Sequence, residues 1–151
     1  MKKISLILLT TGIITFNLPG YVASASSCAL SELKWALKQF ERIIKYEYQE
    51  PSWKSRRYIW IEKVNKALKL EDIKQPLIEL ETLMKWSSFK ETWRQRRLHW
   101  INSVQNSTGY CKIADYLIEL ETATLWKAMD ERWRSERQRW LVRLNRVSQI
   151  N

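Results

Sequence analysis

The sequence predicts an all-α protein: three tandem helical hairpins of about 40 residues, stacked as a short solenoid or a compact six-helix bundle. Three observations carry this. First, Trp-x3-Arg-x2-Trp occurs at Trp53–Trp60, Trp93–Trp100 and Trp133–Trp140, followed each time by Ile61, Ile101 or Leu141. Second, each copy is preceded at the same distance by Leu37-x2-Phe40-Glu41, Leu77-x2-Leu80-Glu81 or Leu117-x2-Leu120-Glu121, with no gap needed to align them. Third, helix breakers are scarce. The chain holds three glycines and three prolines, and beyond residue 25 only Gly109, Pro51 and Pro76 remain.

The N-terminus reads as an export signal. Lys2 and Lys3 precede an apolar stretch over Ile4–Phe16, and Ala23-Ser24-Ala25 has the small-x-small form of a cleavage site. The apolar run is shorter than the ~20 residues of a spanning helix. Residues 1–25 are therefore expected to be removed, leaving 26–151 as one domain with repeats at about 29–69, 71–106 and 110–148. A secreted or periplasmic location follows. No later segment is apolar enough to span a membrane.

In an exported chain, two cysteines favour a Cys28–Cys111 disulfide. The chain-entropy relation assigns so long a loop about 4–5 kcal/mol. The competing fate of Cys28 is a lipid anchor. Ala25-Ser26-Ser27-Cys28 resembles a bacterial lipoprotein box, with Ala where a larger aliphatic residue is usual.

In repeat one, Leu30, Leu33, Leu37, Phe40, Ile44 and Tyr48 form one stripe, so the first (A) helix is expected to run to Pro51. Ser52 is the expected N-cap of the second (B) helix, whose stripe is Trp53, Arg57, Trp60, Val64 and Leu68. Repeat two opens with Glu71 and Asp72 at the positive end of a helix, and Pro76 belongs in a first turn. Leu77, Leu80, Glu81 and Met84 share a face. Ser88-Phe89-Lys90-Glu91 has capping-box spacing ahead of the stripe Trp93, Arg97, Trp100 and Val104. Asn106-Ser107-Thr108-Gly109 is the clearest loop. In repeat three, Ile113, Leu117, Leu120 and Glu121 precede Trp133, Arg137, Trp140 and Leu144. The turn between these helices is weakly marked by Asp130, so fusion of the two is an open alternative. A disulfide between Cys28 and Cys111 would join repeats one and three and favour a closed or strongly curved stack.

Glu41, Glu81 and Glu121 lie on the apolar face of the A helices, and Arg57, Arg97 and Arg137 lie between tryptophans on the B helices. Charges so placed must be paired. Three structural Glu–Arg ion pairs, with guanidinium stacked on indole, are expected to fix the repeat register. The six repeat tryptophans read as core, as do the aligned Trp86 and Trp126. Trp35 lies outside the register and is the better candidate for exposure.

The whole chain carries a net charge of +10. Losing residues 1–25 removes Lys2 and Lys3 and no acid, leaving +8. The A segments (29–47, 71–85, 112–127) are net −2 and the B segments (53–69, 89–105, 128–148) net +11. Off the apolar stripes, the B segments show Lys54, Arg56, Lys63, Arg94, Arg96, Arg134, Arg139 and Arg143, expected to form one basic layer for an anionic partner. The first candidate is an acidic protein, bound as by an inhibitor or adaptor. The alternative is an anionic envelope lipid or polysaccharide, and nucleic acid ranks below both.

Catalytic signals are sparse. His99 is the only histidine and belongs to one repeat alone. No nucleophile motif, glycine-rich phosphate loop or usual zinc set is present. The glutamates are equivalent by repeat, whereas a glycosidase needs two carboxylates in unequal roles. The expectation is a binding module without catalytic residues, cofactor or metal; a small hydrolase is the distant alternative.

Overall fold

The computed structural model describes residues 19–149, without the side chains of 19–26, 28 and 148. These residues form six α-helices and no β-strand: α1 (Pro19–Ile43), α2 (Trp53–Lys66), α3 (Leu70–Thr82), α4 (Trp93–Asn106), α5 (Tyr110–Ala123) and α6 (Trp133–Ser148). Three short 3-10 turns lie at Tyr46–Tyr48, Trp86–Ser88 and Trp126–Ala128. No helix among the described residues is long and apolar enough to cross a membrane. The expected apolar leader, up to residue 18, lies outside the described residues. The expected cleavage point after Ala25 falls within the backbone of α1.

The stripes become a core arranged in two shells. In the odd-numbered (A) helices, Leu33, Ile73 and Ile113 are fully buried, as are Leu37, Leu77 and Leu117 and then Phe40, Leu80 and Leu120. These helices pack on one another at the centre. The even-numbered (B) helices lie outside, each in the seam between two inner helices: α2 on α1 and α3, α4 on α3 and α5, α6 on α5 and α1. Because α6 returns to α1, the stack is a closed ring with pseudo-threefold symmetry rather than an open solenoid.

Each outer helix carries two buried tryptophans in edge-to-face contact, with centroids 5.6 Å apart for Trp53–Trp60, 5.5 Å for Trp93–Trp100 and 5.3 Å for Trp133–Trp140. A buried indole N–H needs an acceptor. Trp60 Nε1 donates to the Pro76 carbonyl (2.9 Å), Trp100 Nε1 to Tyr116 (3.0 Å) and Trp140 Nε1 to Ala36 (3.0 Å). Pro76 thus sits past the first turn of α3, not within it as expected, and its carbonyl is used by the neighbouring outer helix.

The inner helices end sooner than their apolar stripes suggest. The A helix of repeat one stops at Ile43, and Ile44, expected on its face, is extended and bridged to Met129. Gln49 pairs with Met84, and Phe89 with Thr124, in the same way. Two backbone hydrogen bonds join each pair of linkers. Lys85 N–H donates to the Tyr48 carbonyl (2.9 Å), and Glu50 N–H to Leu83 (2.6 Å). Leu125 N–H donates to Ser88 (2.7 Å), and Lys90 N–H to Ala123 (2.9 Å). Lys45 N–H donates to Ala128 (2.9 Å), and Asp130 N–H to Ile43 (2.7 Å). Carbonyls near the ends of the inner helices, which would otherwise lack partners, are satisfied by the neighbouring repeat.

This linker ring overturns several local expectations. Repeat three is not fused: α5 stops at Ala123 and α6 starts at Trp133. Phe89 and Lys90 are linker residues paired to repeat three, so Ser88–Glu91 is no capping box. Ser52 does stand at the N-cap position of α2 as expected, but its side chain makes no capping bond; its hydroxyl accepts from Arg56 Nη2 (3.2 Å). Leu68 lies in the turn after α2 at 85% exposure, and Ala67 takes the buried position.

Candidate functional site

Each hairpin contains one buried carboxylate cluster, assembled as the sequence predicts. Glu41, Glu81 and Glu121 are each 2% exposed. Trp53 Nε1 donates to Glu41 Oε1 (3.0 Å), Arg57 Nε to the same oxygen (2.7 Å) and Arg57 Nη2 to Oε2 (3.0 Å). In repeat three, Trp133 and Arg137 hold Glu121 with bonds of 2.9, 2.7 and 2.9 Å. Repeat two differs. Trp93 Nε1 (3.2 Å) and Arg97 Nε (2.6 Å) both reach Glu81 Oε1, while Oε2 has no partner among the described residues.

The arginine pKa values follow. The Glu41 carboxylate raises Arg57 through the hydrogen bond first, and Glu121 raises Arg137 in the same way. These clusters join inner to outer helix inside one hairpin. The carboxylates are sealed from solvent, so the arrangement suits holding register better than binding a ligand.

The sequence places Trp86 and Trp126 in the core; the structure puts them at the surface, 47% and 49% exposed, with Tyr46 at 74%. All three occupy the 3-10 turns of the linkers, and the linkers pair with one another, so the three rings lie at one end of the bundle. Arg94 and Arg97 lie over the Trp86 ring at 5.5 and 5.7 Å, and Arg137 over Trp126 at 6.0 Å. Trp35, expected to be exposed, is half-buried between α1 and α6, with the Arg143 guanidinium 3.6 Å from its ring centre.

The basic residues do not form one layer. Ring closure spreads the outer helices around the bundle, and internal partners take three of the eight bases. Lys63 pairs with Glu79 (2.6 Å), Arg96 with Glu119 and Arg143 with Glu32. Arg56 lies over Trp53 at 5.9 Å. Lys54, Arg94, Arg134 and Arg139 are exposed and make no ion pair among the described residues. Lys54, Arg94 and Arg134 are repeat equivalents, each following the first tryptophan of an outer helix. They therefore ring the same end as Tyr46, Trp86 and Trp126.

Lys34 and Lys74 were missed as structural residues. Lys34 Nζ donates to the Asn65 carbonyl (3.0 Å) and Lys74 Nζ to Gln105 (3.1 Å), so each amine caps the C-terminus of an outer helix. Their 40-residue spacing was the available signal, and Ala114 in repeat three obscured it. Cys111 is half-buried in the first turn of α5. Its expected disulfide partner, Cys28, has its side chain outside the described residues. His99 is exposed on α4, and no group of three or more His, Cys, Asp or Glu gathers as a metal site among the described residues.

A family model described as a domain of unknown function (DUF8799) matches residues 27–94, repeat one and the first half of repeat two. No curated protein and no solved structure matches the chain.

Proposed function

We propose that this is an exported, non-catalytic binding module that engages an acidic protein through the linker end of the ring, as an inhibitor or adaptor. The observation that carries the reading is the placement of Lys54, Arg94 and Arg134. Each is in the first turn of an outer helix, where the macrodipole already presents positive potential. A base there is mildly unfavourable to the helix, by about 0.3–1 kcal/mol. None has a carboxylate partner among the described residues to offset this. Three such bases around three exposed aromatic rings make a surface with the composition of a protein-binding patch: aromatic anchors and guanidinium groups. An acidic partner would gain from both the side chains and the helix ends.

The test is a triple reversal, Lys54→Glu/Arg94→Glu/Arg134→Glu, in the full chain, with circular dichroism to confirm the fold. A photo-crosslinker at Tyr46 identifies what lies against the linker end in the native envelope. Vesicles of anionic phospholipid and heparin are titrated in parallel at low and physiological salt. A crosslinked acidic protein that binds the purified wild type and is lost on reversal supports the proposal. Salt-sensitive binding to vesicles or heparin, lost on reversal and without any such protein, would assign the surface to an envelope lipid or polysaccharide instead.

A further inference from the structure

The three seams between an outer helix and the next inner helix are equivalent by repeat, and one of them has been rebuilt. In the α2–α3 seam, Glu79 of the inner helix takes the charge of Lys63 at 2.6 Å. In the α4–α5 seam, its equivalent Glu119 takes that of Arg96. In the α6–α1 seam this position is Gln39, which can neutralise nothing. Four other positions change with it. Trp35 replaces Gln75 and Asp115; Arg42 replaces Thr82 and Thr122; Glu136 replaces Arg56 and Arg96; Arg139 replaces Ile59 and His99.

The rebuilt seam encloses a groove of about 250 Å³ lined by Trp35, Gln39, Arg42, Glu136 and Arg139, floored by Trp133 and Trp140. Its polar groups are arranged rather than scattered. Arg42 Nη2 donates to Gln39 Oε1 (2.7 Å) and lies 3.4 Å from Glu136 Oε2. This fixes the Gln39 amide, whose NH2 group has no partner among the described residues. Arg143, stacked on Trp35 and paired with Glu32, fixes the indole. Arg139 has no carboxylate partner among the described residues.

We infer that this groove binds a carboxylated sugar, a hexuronic-acid unit, independently of the linker-end surface. The volume lies below the ~300–1,000 Å³ of drug-sized pockets and suits one pyranose ring. Arg139 offers the planar fork that matches a carboxylate. Gln39 supplies donors and Glu136 an acceptor for ring hydroxyls. Arg143 covers one face of the Trp35 indole, and the negative face opposite it favours the weakly positive C–H face of a pyranose. A bare phosphate would meet the Glu136 carboxylate and make no use of Trp35.

Titration calorimetry and saturation-transfer NMR of the full chain with D-glucuronate test this, with glucose, acetate and inorganic phosphate as comparison ligands. Saturable glucuronate binding is expected, with each comparison ligand about tenfold weaker or more. Arg139→Ala and Trp35→Leu should each weaken glucuronate binding by about tenfold. Arg56→Ala, in the equivalent α2–α3 seam, should leave it unchanged. Absence of saturable glucuronate binding overturns the inference, as does acetate or phosphate binding equally well. An effect of Arg139→Ala with Trp35→Leu silent also overturns it, because a plain anion site needs no aromatic plate.

Discussion

Trp140 Nε1 donates to the carbonyl of Ala36 at 3.0 Å, a bond spanning 104 residues. It is the same bond that Trp60 makes to Pro76 and Trp100 to Tyr116. Those two link each repeat to the next; this one links the last repeat to the first. In an open stack the third indole would have no acceptor. Trp140→Phe should therefore destabilise the fold as Trp60→Phe does, by about 1–3 kcal/mol for the lost indole hydrogen bond and the volume the smaller ring leaves empty. Urea unfolding of the two variants measures both. A Trp140→Phe cost near zero beside a full Trp60→Phe cost would mean that the ring is open in solution.

The carboxylate clusters make a graded prediction. Glu41→Gln and Glu121→Gln should each cost about 2–4 kcal/mol. That is below the ~3–5 of a fully buried pair, because the arginines keep roughly a third to a half of their surface in water. Glu81→Gln should cost about 1 kcal/mol less than the other two, since Glu81 Oε2 accepts no hydrogen bond among the described residues. Thermal melts of the three variants give the order. An unchanged melting temperature for all three would remove these clusters from the framework.

Asp130 gives a pH dependence with a definite sign. The Arg132 side chain, then the Arg132 backbone N–H, hold its carboxyl down from 3.8 to about 2. A carboxylate depressed on folding stabilises the native state fully above its unfolded pKa and loses that contribution as pH falls through the folded one. Wild type and Asp130→Asn should differ most in melting temperature above pH 4 and converge toward pH 2. A gap that stays constant from pH 6 to 2 would show that Asp130 is not held this way.

Tryptophan emission separates linker from core. Six tryptophans are at most 2% exposed, whereas Trp86 and Trp126 are about half exposed. The double variant Trp86→Phe/Trp126→Phe should lose most acrylamide-quenchable emission and shift the remainder to the blue. Quenching undiminished in that variant would place other indoles at the surface.

The hairpins, their stripes and the three Glu–Arg pairs were legible because they repeat at a fixed spacing, and a buried charge has few solutions. The linkers were not. Ile44 and Met84 continue the apolar stripe of the first two inner helices, so periodicity extends those helices past their true ends. What stops the helix is a hydrogen-bonding partner in another repeat, which no local pattern records. The same gap hid the exposure of Trp86 and Trp126, since their spacing suits a helix that has already ended. The basic residues were legible as charges. Their division into paired Lys63, Arg96 and Arg143 and unpaired Lys54, Arg94 and Arg134 depended on which inner helix stood opposite.

Ring closure also makes the chain indifferent to where it is cut. Turns 67–69 and 107–109 occupy the place that separates the end of α6 from the start of the packed part of α1. A circular permutant opened at Thr108, with a short flexible link joining α6 back to Ala29, would recover the same six-helix packing with the repeats in the order three, one, two. What this architecture requires is three repeats in the same cyclic order, not a particular repeat first.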